Sequence, residues 1–289
     1  MPAKKEYVTE IHFGKKFLLL ADHSDKKIRA DIATVEKILA KGIENLSPLD
    51  RYILLTVYNV SFHKAGKIAG VSSLDSTATN CEFCQAMRQA ANGNPAHICG
   101  PCYDFAQEQY RDTVLNRHTL NMVIFSTIDF TCEELKALPL TPIVRGNSSG
   151  DVPNTIYARN FIRLAFAFPY MHFALWAKNT APVVQACKDL TKPDNLVLIQ
   201  SSPIIGTPAK KAEYFDYIFT VYATKADTEK AIASGAAECN GKSCTECGYK
   251  CYFKAHKSGS NIAEYLRGVN AAQRQIISDY LKKSKEEKK

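Results

Sequence analysis

Eight of the ten cysteines fall into two groups. The first is Cys81-Glu82-Phe83-Cys84, a gap of fourteen residues, then Cys99-Gly100-Pro101-Cys102. The second comprises Cys239, Cys244, Cys247 and Cys251. Two residues between cysteines allow a tight turn to aim both thiolates at one centre, and a returning loop then completes a four-sulfur set. Paired Cys-x-x-Cys units suit a zinc ribbon, and the C-x4-C-x2-C run of the second group coincides with plant-type ferredoxin spacing. All eight are therefore candidate ligands of an iron–sulfur cluster, 4Fe-4S in the first instance, or of zinc. His97 and His256 lie near the groups in sequence and read as ordinary histidines, while Cys132 and Cys187 read as small buried hydrophobes.

A second set of polar residues follows short apolar runs. Arg145 lies near the end of TPIVRG, which is followed by Asn147-Ser148-Ser149-Gly150-Asp151; Lys178 follows MHFALWA; Gln200 and Ser201 close NLVLIQS. In parallel β/α folds ligands gather outside the carboxyl ends of the strands, where loops and helix N-termini converge. Asp151, Arg145 and Lys178 are accordingly candidate catalytic residues, and Ser149, Gly150, Asp151, Gln200 and Ser201 candidate cofactor contacts. Asp151 is also placed to start the helix that follows it, since Asp near a helix N-terminus accepts backbone N–H bonds.

The elements that would position these groups are legible as alternating runs. Residues 7 to 21 suggest a small hairpin, residues 31 to 44 an amphipathic helix, and Ser47-Pro48 an N-cap with proline in the first helical position. Ala65 to Asn80 reads as a loop. Strands are predicted at 121–126, 141–146, 171–177, 195–201 and 216–222, with helices near 132–138, 154–167, 181–190, 208–214 and 226–234. Strands separated by helical stretches indicate βαβ units, so the expected fold is α/β, a full or partial parallel β/α barrel. The expected organisation is a hairpin and helices over residues 1–75, a barrel-like core with the first cysteine group over 76–236, and the second group, a helix and a charged tail over 237–289. Trp176 reads as core, and Phe161 to Phe173 as a helix with its following strand.

At 289 residues, 46% hydrophobic and 23% charged, the composition is that of an ordinary globular protein. The N-terminal MPAKKEYVTE has no apolar stretch behind its lysines, and FLLLA is too short to span a bilayer, so no membrane association and a cytoplasmic location are expected. In a reducing compartment grouped cysteines point to metal rather than disulfides. The net charge of +8 favours a nucleic-acid or nucleotide partner, although part of it lies in the 282–289 tail, which reads as a solvated, frayed end. GxGxxG and GxxxxGK[ST] are both missing, so no nucleotide fingerprint is present.

Cys99-Gly100-Pro101-Cys102-Tyr103, Asn116-Arg117, Val144-Arg145 leading to Ser149-Gly150-Asp151, Phe173 to Lys178, and the C-terminal cysteines before Ile262 to Gly268 together resemble the bacteriophage "gene product 88" family over residues 60 to 270. That likeness implies a phage-encoded protein in the host cytoplasm and carries no activity with it. A more distant resemblance is to radical S-adenosylmethionine enzymes whose cluster motif ends in Cys-x-x-Cys-Tyr. It implies a partial β/α barrel in which Cys84, Cys99 and Cys102 hold a 4Fe-4S cluster, Ser149-Gly150-Asp151 meets the methionine ammonium of S-adenosylmethionine, and the C-terminal cysteines hold an auxiliary cluster. The chain departs from that pattern, having C-x2-C-x14-C-x2-C in place of C-x3-C-x2-C. Three functions are then in view. One is an iron–sulfur enzyme acting on a nucleic-acid base or nucleotide. Another is a zinc-containing base-exchange enzyme of the guanine-transglycosylase kind with Asp151 as nucleophile. The third is a non-catalytic zinc-knuckle nucleic-acid binder. Oligomeric state is not legible.

Overall fold

The computed structural model describes residues 9–11, 15–17, 25–239, 243–257, 259–266 and 271–286. Strands β1 (Thr9–Ile11) and β2 (Lys15–Phe17) pair antiparallel as the expected hairpin. Helix α1 (Lys26–Leu39) turns Ile28, Ile32, Val35, Ile38 and Leu39 to the core, at the spacing of one helical face. Helix α2 (Pro48–Val57) begins in a capping box: Ser47 accepts from the Asp50 N–H, and Asp50 reaches back to the Ser47 N–H. Two short strands, β3 (Ser61–Phe62) and β4 (Ser72–Leu74), lead into α3 (Glu82–Ala90), α4 (Tyr103–Tyr110), α5 (Asp112–Thr127) and α6 (Cys132–Leu135). The alternating part follows as β5 (Ile143–Gly146), α7 (Thr155–Ala167), β6 (His172–Ala177), α8 (Thr180–Asp189), β7 (Leu196–Ser201) and β8 (Tyr217–Tyr222). Helix α9 (Lys225–Ala233), β9 (Ala237–Cys239), β10 (Asn261–Tyr265) and α10 (Ala271–Glu286) complete the described chain.

The large sheet has the order β3-β4-β5-β6-β7-β8-β10-β9, with every pair parallel except β3 with β4. No pairing among the described strands joins β3 to β9, so the sheet is open, and the closed form of the expected barrel is not seen. The fold is α/β, and the strands from β4 to β8 are added in sequence order. Along β5, β6 and β7 the side chains divide by period two. Val144, Phe173, Leu175, Leu196 and Leu198 join the helical core with α1, α2, α5, α7 and α8. Ala174, Val197 and Ile199 face the other way, with Tyr217, Ile262 and Tyr252. Both faces are covered, one by helices and one by the segment that carries the C-terminal cysteines, which is why these strands read as continuous apolar runs.

Three expectations need correction. Residues 121–126 are not a strand but the end of α5, which is buried on nearly every side from Leu115 to Phe125. A helix without a polar face loses the 3.6-residue signal and imitates a buried strand. Residues 65–80 are not all loop: β4 is fully buried, Ser72 exchanging bonds with Thr141, whose N–H and hydroxyl meet it at 3.0 and 2.9 Å, and Ser73 donating to Asp75. Residues 208–214 form no helix, and Tyr214 takes a φ of 67° there. The charged tail is helical as far as Glu286. No helix among the described residues is long and apolar enough to cross a membrane.

Candidate functional site

The first cysteine group is built on two helix starts. Cys81 is the N-cap residue of α3 with Cys84 in its first turn, and Cys102 is the N-cap of α4 with Cys99 in the turn before it. A helix N-terminus presents unpaired N–H groups and a positive dipole end, which favours thiolate. The Cys84 thiol is hydrogen-bonded to Cys81 and holds it below the ordinary thiol range against the effect of burial, helped by the N–H groups of Cys84 and Phe83; Cys84 is driven up in turn. Burial raises Cys99 and Cys102.

These thiols surround the tip of β6. Burial alone would lower the Lys178 ammonium, but Asp151, Cys99, Cys84 and Cys102 together raise it. Lys178 Nζ stands 4.0 Å from Asp151, with its side chain 26% exposed. The Asp151 carboxylate is buried and accepts N–H groups from Val152 at 2.8 Å, Lys178 at 3.0 Å and Asn179 at 3.2 Å. It therefore does not start the helix that follows it. Asn154 caps α7 by accepting from the Tyr157 N–H, and Asp151 instead pins the turn into α8. Gly150 has φ 73°, and a Cβ there would collide with the Ser76 hydroxyl and carbonyl. Gly150→Ala is expected to destabilise the fold by roughly 2 to 4 kcal/mol, from left-handed backbone strain plus overpacking, as read by chemical denaturation. The Ser149 N–H donates to Asp75 at 3.0 Å, and Ser149 Oγ is buried without a hydrogen-bond partner. Gln200 uses its amide on the following loop, donating to Lys210 O and accepting from the Ala212 N–H, while Ser201 is half-buried at the end of β7.

Four polar residues beside this group went unread in the sequence. Asp75 follows β4 and takes bonds from Ser73, Ser148 and Ser149. Glu108 on α4 is fully buried and accepts from the Thr77 hydroxyl, the Ala78 and Thr79 N–H groups, and His118. Asp104, one turn before Glu108, is pushed up to about 6, chiefly by burial. The four-residue spacing of Asp104 and Glu108 behind Cys102 was a usable signal of one carboxylate-bearing helix face. Burial alone would lower His118, but its hydrogen bond to Glu108 and the neighbouring carboxylates Asp75 and Asp104 raise it above 6.5. A raised histidine contributes stability that is complete below its unfolded value and fades as pH climbs past the folded one. Thermal unfolding should thus show a decline in stability starting above about pH 6.5 that His118→Gln flattens.

The second group lies on the opposite side of the sheet from the helices. Cys239, Cys244, Cys247 and Cys251 line one cavity of about 580 Å³ together with Lys67 and His256. Burial pushes Cys244 up to about 11 and Cys251 up to about 12, with the neighbouring cysteines adding to both. His256 Nε2 is 3.6 Å from Cys251 Sγ, and its ring stands edge-on to Tyr217. Arg145 belongs to this side: its guanidinium lies 4.3 Å from the Trp176 ring centre, and its charge acts on Cys244 and Cys251. The three residues read together as catalytic are thus divided, Asp151 and Lys178 at the first cysteine group and Arg145 at the second. His97 is buried in the first group's loop, and its Nδ1 accepts from the Cys99 N–H at 3.2 Å. Cys187 is buried in α8 as expected, while Cys132, at the start of α6, is only partly so. Asn240, Gly241 and Lys242 lie outside the described residues.

Among the described residues, no three His, Cys, Asp or Glu side chains are grouped to hold a single metal ion. A lone tetrahedral zinc, with sulfur at about 2.3 Å, draws its thiolates to roughly 4 Å of one another. An iron–sulfur cluster seats each thiolate on its own iron and keeps them farther apart. Four thiols around one cavity are a donor set of the soft kind that either centre uses.

A model of the gene product 88 family matches residues 32–264. The chain belongs to that family. The match runs from α1 into β10 and so includes all eight grouped cysteines. No curated protein matches the chain, and no solved structure does.

Proposed function

We propose that this gene product 88 protein is an iron–sulfur enzyme. The C-terminal cysteines hold a resident cluster, and the first group, ringed by Lys178, Asp151, Asp104 and His118, is the place where a ligand is handled. The observation that carries the reading is the convergence of four thiols on one cavity of about 580 Å³, a donor set that suits soft metal centres. Cys239, Cys244, Cys247 and Cys251 would hold one cluster, and Cys81, Cys84, Cys99 and Cys102 a second. Such clusters would supply electron transfer. Around the first, Lys178 offers a positive charge to an anionic ligand, and Asp104, pushed up to about 6, can hold or release a proton near neutral pH.

A nucleic-acid base or nucleotide remains the proposed substrate class, supported by the +8 net charge. An Asp151 nucleophile is disfavoured because its carboxylate is committed to three backbone N–H groups. The same commitment leaves it poorly placed to bind the ammonium of S-adenosylmethionine, and four thiols at the first group favour a closed cluster. Purification without oxygen, followed by iron, acid-labile sulfide and zinc assays, tests the reading. Iron with matching sulfide is the expected result, and stoichiometric zinc without sulfide would overturn it.

A further inference from the structure

Arg145 sits in β5 on the face turned away from the helices, stacked on Trp176. Among the described residues no ion pair joins it to a carboxylate, and its Nε is buried without a hydrogen-bond partner. Of the two lysines that line the cysteine cavity, Lys67 is already paired with Glu264 and Lys250 is exposed to solvent. A partly desolvated arginine without an anion is costly, and side chains kept in that condition answer a negative charge that arrives with a ligand. Four metal-bound thiolates bring such a charge, because even a divalent ion leaves the set net negative. An arginine fork, held flat by an indole ring, also keeps its N–H donors directed in one plane.

We propose that Arg145 is the counter-ion of the C-terminal cysteine centre, a positioning residue whose fixed charge and N–H donors hold the metal-bound thiolates under the sheet. The inference rests on the metal reading of that group. It places in the C-terminal centre a residue whose sequence position alone had suggested ligand chemistry at the strand tips. Trp176, which carries the Arg145 guanidinium, packs against the same apolar cluster as Cys239, Cys244 and Cys251.

The test uses the full chain purified anaerobically and challenged with a chelator. Metal belonging to the C-terminal group is defined as the fraction lost in Cys244→Ser/Cys251→Ser. Arg145→Gln is expected to release that fraction at a 10- to 100-fold lower chelator concentration, the usual cost of losing an outer partner of a metal ligand. Arg145→Lys, which keeps the charge but loses the planar fork, should fall between wild type and Arg145→Gln, and the metal of the first group should be unaffected in both. Arg145→Met, which keeps an apolar stem against Trp176, guards against a packing defect in the glutamine variant and should behave like it. Unchanged retention in Arg145→Gln, or equal loss in the glutamine and lysine variants, overturns the proposal. If wild type holds no metal that the double serine variant lacks, the metal reading itself fails and takes this inference with it.

Discussion

Cys244→Ser/Cys251→Ser should lose the metal of the C-terminal group and unfold at a much lower temperature than wild type. Metal-ligand free energy is part of the folding free energy, on the order of 10 kcal/mol for a structural site, which is comparable to the whole stability of a typical domain. The segment from 243 to 257 contains little regular structure, and it covers one face of the sheet through Tyr252 and Tyr249. Without metal it has few reasons to stay folded there. Cys132→Ser, at the partly buried start of α6, should cost less than about 1 kcal/mol by comparison. Metal assays and thermal unfolding on the two variants check this, and equal metal content with equal unfolding temperatures would contradict the ligand assignment.

Glu108→Gln should cost roughly 3 to 5 kcal/mol and loosen the first cysteine group. Glu108 ties the 77–79 turn to α4 through the Thr77 hydroxyl and two backbone N–H groups, and it also binds His118. Breaking one side of a largely buried ion pair leaves the other uncompensated, which is among the more damaging single changes. Two of these bonds fall on Ala78 and Thr79, just ahead of Cys81, so the N-cap of α3 should lose its register. Chemical denaturation gives the energy, and metal release gives the coupling. A variant with wild-type stability and wild-type metal retention would show that the network does not hold the site.

The alternating half of the chain was legible because β5 to β8 are apolar on both faces and are bounded by turn residues. Their predicted limits lie within two residues of those observed. β4 was illegible because Ser72 and Ser73 are buried polar residues, and the partner of Ser72, Thr141, comes from elsewhere in the fold. The wrong assignment at 121–126 has the opposite cause, a helix so enclosed that its amphipathic pattern vanishes. Cysteine spacing pointed to the two groups, since local turns dictate the Cys-x-x-Cys geometry. Spacing could not show which side of the sheet each occupies, nor that Arg145 and Lys178 serve different ones. That division follows from strand alternation: Arg145 lies within β5 and faces across the sheet, whereas Lys178 stands just past the end of β6, at the strand tips. Asp151 shows the limit of position-based reading. A carboxylate after a parallel strand looks like a ligand contact, yet here it accepts the backbone N–H groups that start the next crossover.

Metal-edge X-ray absorption on the anaerobically purified full chain tests the central claim most directly, because it reads the atoms bound to the metal. The account predicts iron surrounded by sulfur alone, with a second iron among its near neighbours, and a signal that falls by about half in Cys244→Ser/Cys251→Ser. Iron bound only by oxygen or nitrogen, or a spectrum unchanged by the two serine substitutions, would contradict it.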